Sequence, residues 1–288
     1  MLQEVATSIL PDSFALKGVA LSPDGRAVMW AANQPYVLVE HRSQLRVVRS
    51  SSMLRPVAIG FASADSAIEV IDAERRSLLR LSFAGERLTE HGLEIPWGVE
   101  SAARSAAGWV LGGRDVVGNY RVLAWDPNGG RRRLLTLLAK ESGGKRLAMT
   151  LSAAGTEVLA AQVSAPHVGR RLTVAAAEGS GAPIRAFETP KLSGSSREAG
   201  LWISMAILPL DRGYIRTFTD LRSDRRVLVT YDGSGAMLRR TPIRLPMAVI
   251  ATDPGRRMLL AVRRTDQLEL VRYHWRWAGT TPTQGVDP

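Results

Sequence analysis

Apolar and polar positions along the chain alternate over short runs, which Gly-, Asp-, Asn- and Ser-bearing turns interrupt at regular intervals. Val19-Ala20-Leu21, Val57-Ala58-Ile59-Gly60-Phe61, Ile68-Glu69-Val70-Ile71 and Arg226-Val227-Leu228-Val229-Thr230-Tyr231 have strand length and β-branched content. The intervening turns are chemically apt, since Gly supplies positive φ and Asp or Asn satisfies backbone donors locally. No segment sustains a helical period. Leu134 to Lys140 could make a helical turn, but it lacks an N-cap and runs into Ser142-Gly143-Gly144. The chain reads as all-β.

The turns recur. Ser22-Pro23-Asp24-Gly25-Arg26, Ser63-Ala64-Asp65-Ser66, Ser105-Ala106-Ala107-Gly108, Ser152-Ala153-Ala154-Gly155, Leu210-Asp211-Arg212-Gly213 and Thr252-Asp253-Pro254-Gly255 start 41, 42, 47, 58 and 42 residues apart. Each lies between two strand-like runs, and in most units a further pair of strands follows. Tyr120 to Trp125, the turn Asp126-Pro127-Asn128-Gly129-Gly130, and Arg133 to Leu137 form one such pair. Units of this length with four strands each describe a β-propeller. The expectation is six four-stranded blades in one domain spanning residues 1–277, followed by a loose polar tail at 278–288. The sixth unit shows three strands, and Glu4 to Leu10 precedes the first, so the N-terminal strand is expected to complete the last blade.

The Ser-Pro-Asp-Gly-Arg turn at 22–26 resembles the repeats of TolB-like proteins, and blade length and number resemble six-bladed NHL-type propellers. This resemblance implies a fold over roughly residues 4–277 and transfers no functional residue. The Arg-Ile-x-x-Phe strand of NHL repeats is missing, and Trp125-Asp126 does not recur as a WD repeat would require.

Charge adds a bias. The formal net charge is +11, with 34 Arg and 4 Lys among the basic residues. Residues 1–100 hold 10 basic and 12 acidic side chains, 101–200 hold 14 and 7, and 201–288 hold 14 and 8. Such a gradient favours an acidic partner: an acidic protein surface, nucleic acid or anionic lipid. The absence of Cys excludes disulfides, thiolate metal sites and cysteine nucleophiles. No apolar run approaches the roughly 18 residues of a spanning helix, and peripheral membrane association is compatible with the sequence. The N-terminus shows no leader features, so a cytoplasmic protein and an exported one whose leader lies outside this numbering both fit.

Motifs for catalysis are scarce. No Gly-x-Ser-x-Gly elbow occurs, and Ser142-Gly143-Gly144-Lys145-Arg146 departs from a phosphate loop at Ala139 and Arg146. His41, His91, His167 and His274 are isolated in sequence. Gluconolactonase-like and strictosidine-synthase-like propellers hold a cation at the channel, and Glu100, Asp115, Asn119, Asp220 and Asp253 are the loose candidates for such a metal-dependent hydrolase or lactonase. No cofactor is indicated.

The remaining candidates are partner contacts: Arg131, Arg132, Arg133, Arg170, Arg171, Arg225, Arg226, Trp275 and Trp277. Paired arginines at strand ends suit anions, although outer strands also need polar, edge-protecting side chains. In Tyr273-His274-Trp275-Arg276-Trp277 the aromatics share one face, suited to a neighbouring blade or to an interface. The long polar insertion around Lys191 to Arg197 accounts for the 58-residue interval. A non-catalytic scaffold that binds a protein partner with an acidic surface, as an accessory or structural subunit of a larger complex, is the favoured reading. The metal-dependent hydrolase and a nucleic-acid-binding propeller are the rivals. RNA binding is disfavoured by the 6% aromatic content.

Overall fold

A computed structural model describes residues 2–22, 25–31, 34–41, 44–62, 67–105, 108–128, 132–138, 149–154, 157–162, 169–173, 202–204, 208–220, 226–243 and 247–276. Strand β1 (Leu2–Leu10) precedes a sheet of β2 (Leu16–Leu21), β3 (Ala27–Ala31), β4 (Tyr36–His41) and β5 (Gln44–Arg49). The next sheet holds β6 (Pro56–Phe61), β7 (Ile68–Asp72), β8 (Ser77–Leu81) and β9 (Arg87–Gly92), and a third holds β10 (Gly98–Ser105), β11 (Gly108–Arg114), β12 (Tyr120–Trp125) and β13 (Arg132–Leu138). Strands β14 (Met149–Ala154), β15 (Glu157–Gln162) and β16 (Gly169–Thr173) make a three-stranded sheet. Then come β17 (Trp202–Ser204), β18 (Leu208–Leu210), β19 (Gly213–Asp220), β20 (Arg226–Tyr231) and β21 (Met237–Ile243), with both β17 and β18 paired to β19. Finally β22 (Met247–Asp253), β23 (Met258–Arg264) and β24 (Leu268–Trp275) join β1 in one sheet. No helix occurs among the described residues, so none there is long and apolar enough to cross a membrane.

This is an all-β propeller. The expectation of six four-stranded blades needs correction: five blades have four or more strands, while the unit at β14–β16 contributes three. The segment expected to hold its fourth strand lies outside the described residues, as does the tail at 278–288. The first strands touch in succession, β2 to β6, β6 to β10, β10 to β14, β14 to β18, β18 to β22, and β22 back to β2. The N-terminal strand closes the last blade. β1 runs antiparallel to β24 from Leu2 opposite Trp275 to Leu10 opposite Leu268, with a bulge between Glu4 and Ala6.

The core sits between sheets. Val28, Val39 and Val48 of the first sheet meet Ile59, Ile68, Val70 and Leu79 of the second, which on its other face meets Trp109 and Leu111 of the third and Trp97 just ahead of it. Leu10, Phe14, Met29 and Leu38 pack on Leu260 and Leu270, sealing the last sheet against the first. Middle strands are therefore buried on both faces, and all five residues of β7 are buried. The outermost strands face solvent: every residue of β9 is exposed.

Candidate functional site

Arginine chemistry dominates the contacts between sheets. Fully buried Glu40 on β4 accepts from Arg272 on β24, at 2.8 Å from Nη1 and through a second contact from Nη2, which also donates to the Gly25 carbonyl at 3.1 Å. Buried Glu69 on β7 accepts from Arg80 Nη2 at 2.8 Å, Arg104 Nε at 3.0 Å and Trp109 Nε1 at 3.0 Å, tying the second sheet to the third. Arg26 lies 4.5 Å from the Phe83 ring centroid and 5.8 Å from that of Phe61, joining the first sheet to the second. Asp211 accepts from Arg257 Nε at 2.8 Å and Trp275 Nε1 at 3.1 Å. Arg216 is buried 5.0 Å from the Phe218 ring, and burial pushes its pKa down to about 10. Planar, bidentate and ring-stacking contacts are those that Arg makes better than Lys, which gives the skewed basic composition a structural use.

The expected partner residues are dispersed. Arg132 and Arg133 lie on β13 opposite Trp125 and Ala124, and Arg170 and Arg171 lie on β16 opposite Ala160 and Leu159. Arg226 is half-buried at the start of β20. These positions belong to three different sheets. Arg131, Arg225 and Trp277 lie outside the described residues. Trp275 is 5% exposed, packed in the core against the preceding blade, so its indole is a seam contact rather than a surface one.

The candidate metal carboxylates whose side chains are described are each occupied by their own partners. Glu100 accepts from Arg114 Nη1 at 2.5 and 2.6 Å. Asp253 accepts from the Arg256 N–H at 3.2 Å and pairs with its guanidinium. For Asp220 only its place on β19, opposite Trp202, is described. No trio of His, Asp or Glu suited to a metal gathers among the described residues. His91 and His274 are exposed on β9 and β24, and His167 lies outside the described residues.

The feature that sequence reading missed is the tip of the β11–β12 hairpin. Val116 is 95% and Val117 65% exposed. Their turn is pinned from within: Asp115 Oδ1 accepts the N–H groups of Val117 at 3.1 Å and Asn119 at 2.9 Å, and Oδ2 accepts Arg121 Nε at 2.9 Å. Partial desolvation raises the Asp115 carboxyl, but the Arg121 hydrogen bond and these N–H groups outweigh it and hold the pKa below the usual range. At the hairpin base the Tyr120 and Ser101 hydroxyls share a 2.6 Å hydrogen bond, and burial pushes the phenol upward. Both flanking arginines are paired at home, Arg114 with Glu100 and Arg121 with Asp115. The tip is thus apolar, its flanking charges are paired, and Asp115 fastens its backbone. Its sequence signal was Val-Val inside Asp-Val-Val-Gly-Asn, where turn chemistry favours small polar residues.

No family model and no curated protein matches the chain. Similarity to solved structures is extensive. A member of the DUF4221 family from Bacteroides vulgatus superposes with a TM-score of 0.63 at 11% identity, covering 96% of this chain and 98% of its own. Virginiamycin B lyase from Staphylococcus aureus, solved in a catalytically inactive form with quinupristin, gives 0.55 at 14% identity, covering 95% and 88%. A chain of a nidogen/laminin complex gives 0.55 at 12% identity, covering 78% and 79%. At such identities the likeness is one of fold, and this chain is similar to both enzymes and binding proteins in being a β-propeller.

Proposed function

We propose that this protein is a non-catalytic scaffold whose propeller holds the Val116–Val117 tip rigidly for a protein partner. The exposed, internally pinned valine pair is the observation that carries the reading. Burying one such side chain contributes about 1.5–3 kcal/mol, and a turn already fixed by Asp115 loses little entropy on docking. The net charge of +11 supports a partner with an acidic surface, which it would steer toward the ring while the valines anchor it. Buried carboxylates Glu40 and Glu69 are committed to arginines, and buried Asp72 to four backbone N–H groups, which favours scaffold over enzyme.

The test is tagged capture from cells at moderate salt, comparing the natural protein with V116S/V117S. A defined protein retained by the first and lost with the second is the expected result. Equal retention by both, stoichiometric Ca or Zn on elemental analysis, or steeply salt-dependent retention on RNA would overturn it.

A further inference from the structure

The last blade owes its outer strand to the other end of the chain. Among the described residues β1 pairs with β24 alone, and residues 11–15 carry it to β2, the innermost strand of the next sheet. Within that connector residues 11–13 are exposed, while Phe14 is 1% exposed and anchored in the core between last and first sheets. β24 cannot stand bare: Leu270, Val271, Tyr273 and Trp275 are buried, and an apolar strand with a free edge seeks another strand.

The segment that fits is specified in detail. Arg263 Nη1 donates to Glu4 Oε2 at 2.9 Å while its Nε donates to Glu269 at 2.6 Å, and Ser8 Oγ donates to Glu40 Oε1 at 3.4 Å. We infer that β24 is an acceptor edge for β1 of a second copy, so that two chains can exchange N-terminal strands and form a closed dimer. Every contact of β1 is remade in the exchange, and only the course of residues 11–13 changes, which is the low-cost route to a dimer. A short tether gives its own β1 an effective concentration on the order of mM. The monomer therefore dominates at micromolar protein, and exchange competes as refolding concentration nears millimolar.

The chain lacks cysteine, which makes the test clean. Gln3 and His274 are exposed and opposite one another in the β1–β24 register. Q3C and H274C chains are mixed unfolded, refolded together, oxidised and run on a non-reducing gel, alongside Q3C alone and the Q3C/H274C double variant. Expected are a within-chain bond in the double variant refolded dilute, and covalent dimers from the mixture that rise at least tenfold between micromolar and near-millimolar refolding. Absence of dimers from the concentrated mixture, equal dimers from Q3C alone, or failure of the double variant to close would each overturn the inference. None of these outcomes bears on the Val116–Val117 tip.

Discussion

Glu69 offers the sharpest test of how the blades are joined. Its carboxylate is fully buried and accepts three hydrogen bonds, from Arg80, Arg104 and Trp109. The Trp109 ring also lies over Gly60, the register partner of Glu69, where a Cβ would stand 3.2 Å from the indole. Glu69→Ala removes the acceptor common to two guanidiniums and an indole N–H. Breaking a buried ion pair by removing one partner costs about 3–5 kcal/mol. The arginine side chains are 30% and 25% exposed and can turn partly to water, so the lower end, about 3 kcal/mol, is expected. The assay is urea unfolding followed by tryptophan fluorescence, reading the midpoint at constant slope. Glu90→Ala serves as comparison: its 2.7 Å pair with Arg87 is exposed, and such pairs contribute about 0.2–1 kcal/mol. A Glu69→Ala loss below 1 kcal/mol, or no larger than that of Glu90→Ala, would refute the view that these buried pairs hold the sheets together.

Four further outcomes follow from the same contacts. Arg272→Lys keeps the charge on Glu40 but loses the two-nitrogen grip and the Gly25 contact, and a midpoint loss of about 1–2 kcal/mol is expected in the same urea assay. Gly85 has φ +91° and its Cβ would fall 2.0 Å from the Arg49 carbonyl oxygen in the neighbouring sheet, so Gly85→Ala should lower the melting temperature by more than any surface alanine variant in parallel melts. The Arg263 hydrogen bond, then that of Thr7, holds the Glu4 carboxyl below its ordinary range. A depressed carboxyl stabilises the fold above its unfolded value near pH ~4.3 and stops doing so as pH falls through the lower folded value; Glu4→Gln should shrink, by a small screened amount, the drop in melting temperature on acidification from pH 5 to 3. V116S/V117S should leave the urea midpoint within about 0.5 kcal/mol of the natural protein, because both side chains are mostly exposed.

The all-β class, the repeat and the closure of the last blade by Glu4 to Leu10 were legible in the sequence, because strand alternation and turn chemistry are local and recur with each unit. The blade count was legible only in part, as the unit at 149–173 shows. Tertiary structure decided how the polar residues are used. In a ring of sheets both faces of a middle strand are covered, so the polar phase of an alternating run does not mark solvent. Glu69, between Ile68 and Val70, looks like a surface residue in sequence and is buried with its neighbours. Its partner Arg104 is 35 residues away, and Arg263 meets Glu4 across 259. An arginine destined for a seam and one destined for solvent are the same letter in the same pattern, and only the packing of sheet on sheet tells them apart.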